Sequence, residues 1–298
     1  MTGKPFVDII ILNWNSERDT AECIRSVEAQ SFGDYRVIIV DNGSDDGSGE
    51  RLRARFPRCE VLRSEVNLGF AGGCNLGIRH ALAQERADYF LLLNNDTIVA
   101  PEMLELMVRE GAMDERRGII AAVNYYYARP ATVHMAAHRF FWWRGMQGII
   151  KDVASACAEV QSVSGSCMLI RKDVIGKIGF FDERYFAYYE DADLCLRARR
   201  SGFKVIVVRD AKVWHKIATV LGKGTPREYY IYTRNQPLFM LKNAPRFFLP
   251  NYFLVYGAKV LVRIFYFFCT ARREKATAIL RGWEDFMNGN FGRGRLFE

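Results

Sequence analysis

Four short, nearly unbroken apolar runs, at 7–12, 37–40, 90–93 and 119–123, constrain the fold more than any other feature of this chain. Strands that alternate apolar with polar residues keep one face wet, whereas continuous Val, Ile and Leu suit strands covered on both faces. Between them, 18–30, 49–56, 72–84 and 101–113 read as amphipathic helices. Strands alternating with helices predict a doubly wound α/β sheet, in which ligands bind beyond the carboxyl ends of the strands. The residues after three of the runs are therefore the first candidates: Asn13-Trp14-Asn15, Asp41-Asn42-Gly43-Ser44 and Asn94-Asn95-Asp96-Thr97.

The second half is less regular. An aromatic stretch at 124–160 fits no single period and predicts a long loop or a β-excursion. Order returns at 163–170, followed by a short helix opening at Lys172, a helix running from the acidic cluster at Glu190 to Ser201 and closed by Gly202, and a strand at 204–208. Beyond Trp214-His215 the character changes. Residues 212–298 carry 15 Lys and Arg against 5 Asp and Glu, and 18 of the 40 aromatic residues, so the net charge of +8 belongs to this tail. The expected division is 1–216 and 217–298.

With 50% hydrophobic and 26% charged residues, the composition is globular and excludes wholesale disorder or a collagen-like chain. Seven cysteines without a C-x-x-C argue against a disulfide framework and against a clustered zinc site. Met1 to Asp8 lacks the charged and apolar regions of a secretory signal, which sets the expectation of a cytoplasmic protein. A basic, aromatic tail suits either anionic lipid or nucleic acid. No zinc, homeodomain or RNP motif accompanies it, so nucleic acid is not the expected partner. Segment 247–270 has the length of a bilayer span, but Pro250, Lys259 and Arg263 interrupt it. An amphipathic helix lying on a membrane surface is the first expectation, and a packed helix or homodimer contact the second.

Several residues suggest chemistry, each beside a plainer reading. Asp96, an acid directly after a buried strand, suits a hard cation shared with substrate phosphates, or simply a turn. Asp41, in DNGSDDGS, is a polar turn or a nucleotide contact. The stretch from Asn67 through Gly72 to Asn75 allows close backbone contacts and a helix start facing phosphate, but it is not G-x-G-x-x-G. Glu190, Asp191 and Asp193 crowd a helix start, where the macrodipole favours acids; the preceding Tyr-Phe-Ala-Tyr-Tyr adds apolar walls that can tune a general base. His215 is either a structural imidazole or a metal ligand.

In order, IIILNWNS at 9–16, VIIVDNGSDDGS at 37–48, NLGFAGGCNLG at 67–77, FLLLNNDT at 90–97, SGSCMLIRKDV at 164–174 and GFFDERYFAYYEDADLCLRARRSGF at 179–203 resemble the inverting family 2 glycosyltransferases of the GT-A fold, particularly their rhamnosyltransferase-like branch. The resemblance covers residues 6 to about 216. It implies a nucleotide-binding mixed sheet flanked by helices, with a helical C-terminal extension. It further implies that Asp41 contacts the base of a nucleotide-sugar donor, that Leu12, Asn13 and Asn15 shape the base and ribose pocket, and that Asn67, Gly72 and Asn95 border the nucleotide. Asp96 would remain from the family's D-x-D element, with Asn94 standing where many members carry the first aspartate, and would bind Mg2+ or Mn2+ with His215 nearby. Gly165, Ser166 and Cys167 would line the donor–acceptor junction, and Asp191, supported by Glu190, would be the base. The branch suggests deoxythymidine diphosphate rhamnose as donor, a uridine diphosphate sugar next, and a saccharide or lipid-linked saccharide acceptor in cell-surface polysaccharide synthesis, made peripherally on the cytoplasmic face of the membrane. The rivals are a sugar-phosphate nucleotidylyltransferase and a non-catalytic carbohydrate-binding or membrane scaffold on the same fold.

Overall fold

The computed structural model describes residues 4–217 and 224–295. The expected division at 216/217 therefore falls just before residues outside that description. The first half alternates as its pattern requires: β1 (Val7–Asn13), α1 (Glu17–Glu28), β2 (Tyr35–Asn42), α2 (Ser48–Arg55), β3 (Glu60–Ser64), α3 (Gly69–Ala83), β4 (Tyr89–Asn94), the short β5 (Thr97–Val99) and α4 (Met103–Ala112). Strands β1, β2, β3 and β4 run parallel. Ile9, Ile10 and Ile11 all point into apolar surroundings, because α1 covers one face of β1 and α3 the other. Each such side chain contributes about 1.5–3 kcal/mol of burial.

Beyond α4 the sheet becomes mixed. Strand β6 (Arg117–Tyr126) leads into the irregular aromatic region, which is the β-excursion rather than a loop: β7 (Arg129–Met135) folds back on β6, β8 (Ala137–Phe141) and β9 (Met146–Ile150) form a separate hairpin, and β10 (Cys157–Glu159) returns to the edge. Strand β11 (Cys167–Arg171) enters antiparallel between β4 and β6. Helices α5 (Lys172–Ile178) and α6 (Glu190–Arg200) follow, then β12 (Lys204–His215), which pairs with β6, β5 and β10. The ten-stranded order is β10-β12-β6-β11-β4-β1-β2-β3, with β5 and β7 attached at the side. Because β11 runs opposite to its neighbours, the turn before it reaches the same edge as the carboxyl ends of β1, β2 and β4.

Among its described residues the extension has three α-helices: α7 (Pro226–Asn243), α8 (Leu249–Cys269) and α9 (Arg273–Asn288). They share an apolar cluster with Phe140, Tyr185, Ala192 and Leu196, so they pack against the sheet region through α6 and the β8–β9 hairpin. Pro250 lies in the first turn of α8, where a missing N–H costs nothing, and so does not interrupt the helix as its position suggests. Pro237 does sit inside α7, removing the N–H that would bond to Thr233. The Tyr256 hydroxyl, from α8, donates to that carbonyl instead at 3.3 Å.

All seven cysteines are free thiols.

Candidate active site

A cavity of about 320 Å³ opens over the carboxyl ends of β1, β2 and β4. The sheet supplies its floor through Leu12, Asn42 and Asn94. The turn 164–166 and the start of α6 form one wall, and His215, at the end of β12, meets Asp96 on another. Tight packing makes room for this. On α3, Gly69, Gly73 and Gly77 recur every four residues on one face. A Cβ at Gly77 would lie 2.5 Å from Ile10, and one at Gly73 would lie 3.1 Å from Leu12. Gly69 has φ +73°, and a side chain there would strike the Phe186 carbonyl and ring.

Of the residues singled out in the sequence, Leu12, Asn67, Asn95, Asp96, Gly165, Ser166, Glu190, Asp191 and His215 border the cavity. Asn13, Asn15, Asp41, Gly72 and Cys167 do not. Asn13 and Asp41 are buried one layer below: the Asn13 amide donates to Asp41 Oδ1 at 3.3 Å, Ser44 Oγ at 3.2 Å and Ser48 Oγ at 2.8 Å, and its oxygen accepts from Thr20 at 2.9 Å. Gly49 packs over the other Asp41 oxygen so closely that any Cβ would collide with it. Asn15, at φ +49°, ties its loop to the next through reciprocal hydrogen bonds with Asp45 at 2.8 and 3.0 Å. Gly72 faces Leu68 within α3. Cys167 is in the core against Met103, where burial pushes its thiol up to about 12 and keeps it inert.

Asp96 Oδ1 and His215 Nε2 lie 2.9 Å apart. Among the described residues no three His, Cys, Asp or Glu side chains form a metal cluster. One carboxylate with one imidazole fits a divalent ion that takes its other ligands from a substrate diphosphate and water, and does not fit an all-protein cage. Behind the pair, Lys216 donates to Asp19 at 2.6 Å and Glu22 at 2.5 Å, fixing the end of β12 against α1. The Asn95 amide donates to Thr20 at 2.9 Å, which ties the strand end to the Asn13 network.

Three acids open α6, and they are not alike. Asp193 is fully buried and paired with Arg197 at 2.8 Å, Lys242 at 2.9 Å and Asn243 at 2.9 Å, which makes it structural. Asp191 faces the cavity: its Oδ2 accepts from the Gly165 N–H at 3.0 Å and its Oδ1 from the Ala192 N–H at 2.6 Å. Each oxygen keeps a further lone pair. Glu190 is buried with its Oε2 unpartnered. Burial first, and the Asp191 charge second, raise its carboxyl well above the usual range, which favours the protonated form.

The turn before these acids is strained. Phe186 has φ +64° and ψ −60°, and the Ala187 N–H donates to the Tyr185 carbonyl at 2.7 Å, forming the rare γ-turn of positive φ. Tyr188 and Tyr189 follow at φ +65° and +77°. Non-glycine residues held so cost about 1–3 kcal/mol each. Tyr188 stacks on Tyr232 of α7 with centroids 4.7 Å apart. Phe186, expected only as part of an apolar wall, and Asn42, a strand-end candidate without an assigned role, both border the cavity. Asn42 was legible by adjacency to Asp41; the aromatic turn gave no sign of its backbone geometry.

The family model described as Glycosyl transferase family 2 matches residues 8–179. Over 226 residues the chain is 26% identical to the N-acetylglucosaminyl-diphospho-decaprenol L-rhamnosyltransferase of Mycobacterium tuberculosis (strain CDC 1551 / Oshkosh), covering 68% of this chain and 74% of that protein. A mannosyltransferase from Pyrobaculum calidifontis, solved with GDP-Man and Mn2+, superposes with a TM-score of 0.58 at 13% identity over 96% of this chain and 88% of its own. GalNAc-T7, solved with UDP, GalNAc and Mn2+, gives a TM-score of 0.60 at 13% identity over 80% of this chain, which spans 51% of that structure. At such identities the two structures speak for the fold.

Proposed function

This chain belongs to glycosyl transferase family 2, and from that membership we propose that it is an inverting, divalent-metal-assisted enzyme that moves a sugar from a nucleoside diphosphate to a hydroxyl of a saccharide or lipid-linked saccharide. Its mixed sheet is of the GT-A type. Family membership removes the nucleotidylyltransferase reading. The observation that carries the proposal is that Asp191 and the Asp96–His215 pair border one cavity at the carboxyl edge of the sheet.

The mechanism follows from what a sugar hydroxyl lacks. It is a weak nucleophile, so Asp191 takes its proton as the oxygen attacks the anomeric carbon. The Gly165 N–H fixes Asp191 Oδ2 in place for this transfer. As the new C–O bond forms, the bond to the diphosphate oxygen breaks on the opposite face, and the anomeric configuration inverts. Asp96 with His215 would hold a divalent cation, Mg2+ or Mn2+, which would supply positive charge against the departing diphosphate. Burial beside Asp191 favours the neutral form of Glu190, which adds no second negative charge there and has an O–H to donate to a sugar oxygen. Leu12, Trp14, Asn42 and Asn67 border the nucleotide side. Asp41 and Asn13 lie beneath it, so their contact with the base requires the 43–48 turn to move on donor binding.

We assign the donor first to deoxythymidine diphosphate rhamnose and second to a uridine diphosphate sugar, the relative named above being a rhamnosyltransferase. Its acceptor, an N-acetylglucosaminyl-diphospho-decaprenol, is the class proposed for this chain. The same proposal treats 1–216 as the transferase and 217–298 as its membrane-facing extension. Residues Arg246–Cys269 are long and apolar enough to cross a membrane by length and composition, with a mean hydropathy of 1.5. Lys259 and Arg263 favour lying on the surface instead. Incubation with a panel of nucleotide sugars, read by mass detection of released nucleoside diphosphate, tests the function. Turnover of none, with Mg2+ or Mn2+ and membrane lipid extract present, would sink it.

A further inference from the structure

Helix α7 belongs to the extension, yet it places two fully buried polar side chains, Arg234 and Asn235, against the turn that precedes Asp191. The Asn235 amide nitrogen donates to the carbonyls of Tyr185, Ala187 and Tyr188 at 2.7, 2.8 and 3.1 Å. Its two protons are thus shared among three acceptors. The Asn235 oxygen accepts from Arg234 Nε at 3.0 Å, and Arg234 Nη2 donates to the Tyr185 carbonyl at 3.2 Å. These carbonyls belong to the segment that holds Phe186, Tyr188 and Tyr189 at positive φ. Such backbone persists only where its surroundings over-determine it.

We propose that Asn235 is a positioning residue: it clamps the 185–189 turn from the extension and so sets the Glu190–Asp191 step against the cavity, with Arg234 bracing the clamp. The inference rests on the reading of Asp191 as the base. Released from the amide, the aromatic residues relax toward negative φ, which rotates the peptide entering α6. A shift of about 1 Å in Asp191 costs about 10²-fold in rate without touching the nucleotide side.

Full-length wild type, Asn235→Ala and the near-isosteric Asn235→Asp are compared by hydrogen exchange with mass detection, by calorimetry with deoxythymidine diphosphate and Mn2+, and by release of diphosphate from deoxythymidine diphosphate rhamnose with water as acceptor. In Asn235→Ala, exchange over 185–192 is expected to rise at least about tenfold. Exchange in β1, β2 and β4 stays unchanged, diphosphate affinity stays within about twofold, and turnover falls about 10²-fold. In Asn235→Asp a buried carboxylate faces three carbonyls. Protonation gives it an O–H to donate, so its turnover relative to wild type rises as pH falls, a limb that Asn235→Ala lacks. Unchanged exchange over 185–192 overturns the clamp whether or not the donor turns over. So does loosening spread evenly through α7, α8 and α9, which would make Asn235 a packing residue. Wild-type turnover in Asp191→Asn would instead remove the base assignment and leave the exchange result standing.

Discussion

The sheet region and the C-terminal helices handle apolar surface in opposite ways. In the sheet, Ile9, Ile10, Ile11, Ile38 and Ile39 are essentially excluded from water, and polar side chains gather at one edge. In the extension, α7 buries Arg234 and Asn235, whereas α8 leaves Leu254 75% exposed and Phe265 71% exposed. Its buried side is Tyr252, Tyr256, Val260 and Phe267, and its exposed side is largely apolar too, broken by Lys259 and Arg263. Exposed apolar surface of that extent marks a contact. The sheet's composition is explained by the chain itself; that of α8 calls for something outside it.

The contrast is most sharply tested by turnover. Asp191→Asn at the sheet edge should lower it by about 10² to 10⁴ with donor affinity nearly intact, while Leu261→Glu on α8 leaves turnover of a water-soluble donor unchanged. Equal losses in both would erase the functional division. Stability comes next. Ile39→Ala, at a site with no exposure, should cost about 2–5 kcal/mol by denaturant titration, and Leu261→Ala, at 68% exposure, within about 0.5 kcal/mol. A large loss at Leu261 would mean that α8 is covered in solution, as a homodimer contact would cover it.

Vesicles containing phosphatidylglycerol probe the uncovered face directly. Sedimentation with them at low salt should weaken at least about tenfold when Leu261 and Phe265 both become Glu, and more modestly in high salt, since each basic residue near the surface adds about 1 kcal/mol. Salt-insensitive partitioning that survives the double change would favour a helix inserted across the bilayer. The smallest effect belongs to Glu190. A carboxyl raised in the folded state binds its proton there more tightly than in the unfolded chain, so its contribution is present below the unfolded value of 4.5 and is lost as pH rises through the folded value. Glu190→Gln should therefore gain on wild type as pH rises above 4.5 and level off, about 2–4 °C ahead, once pH passes the folded value. A constant gap across pH would show that the fold does not raise the Glu190 carboxyl.

Much of the sheet was legible. The runs at 7–12, 37–40, 90–93 and 119–123 became β1, β2, β4 and β6, each longer by one to five residues because ladder pairing continues past the apolar stretch. The strand expected at 163–170 begins only at Cys167, since 164–166 turns to present Gly165 to Asp191. The helix expected from residue 72 starts at Gly69, where glycines serve the packing of α3 on β1 more than a phosphate loop. Asp96, Asp191 and His215 could be nominated from strand ends and a helix start. That Asp193 is paired off depends on Arg197, Lys242 and Asn243, and α7 alone supplies the last two.

What the sequence determined by itself is what short-range periodicity encodes: which stretches are buried on two faces, where they end, and hence which polar residues stand at the ligand edge. Tertiary structure decided the rest. The antiparallel entry of β11, the descent of Asp41 and Asn13 beneath the cavity, the positive φ of three aromatic residues and the grip of Asn235 on them all join residues far apart in the chain. Local pattern carries no record of such contacts, because a hydrogen bond between residues 50 apart is fixed by how helices pack and not by the residues beside either partner.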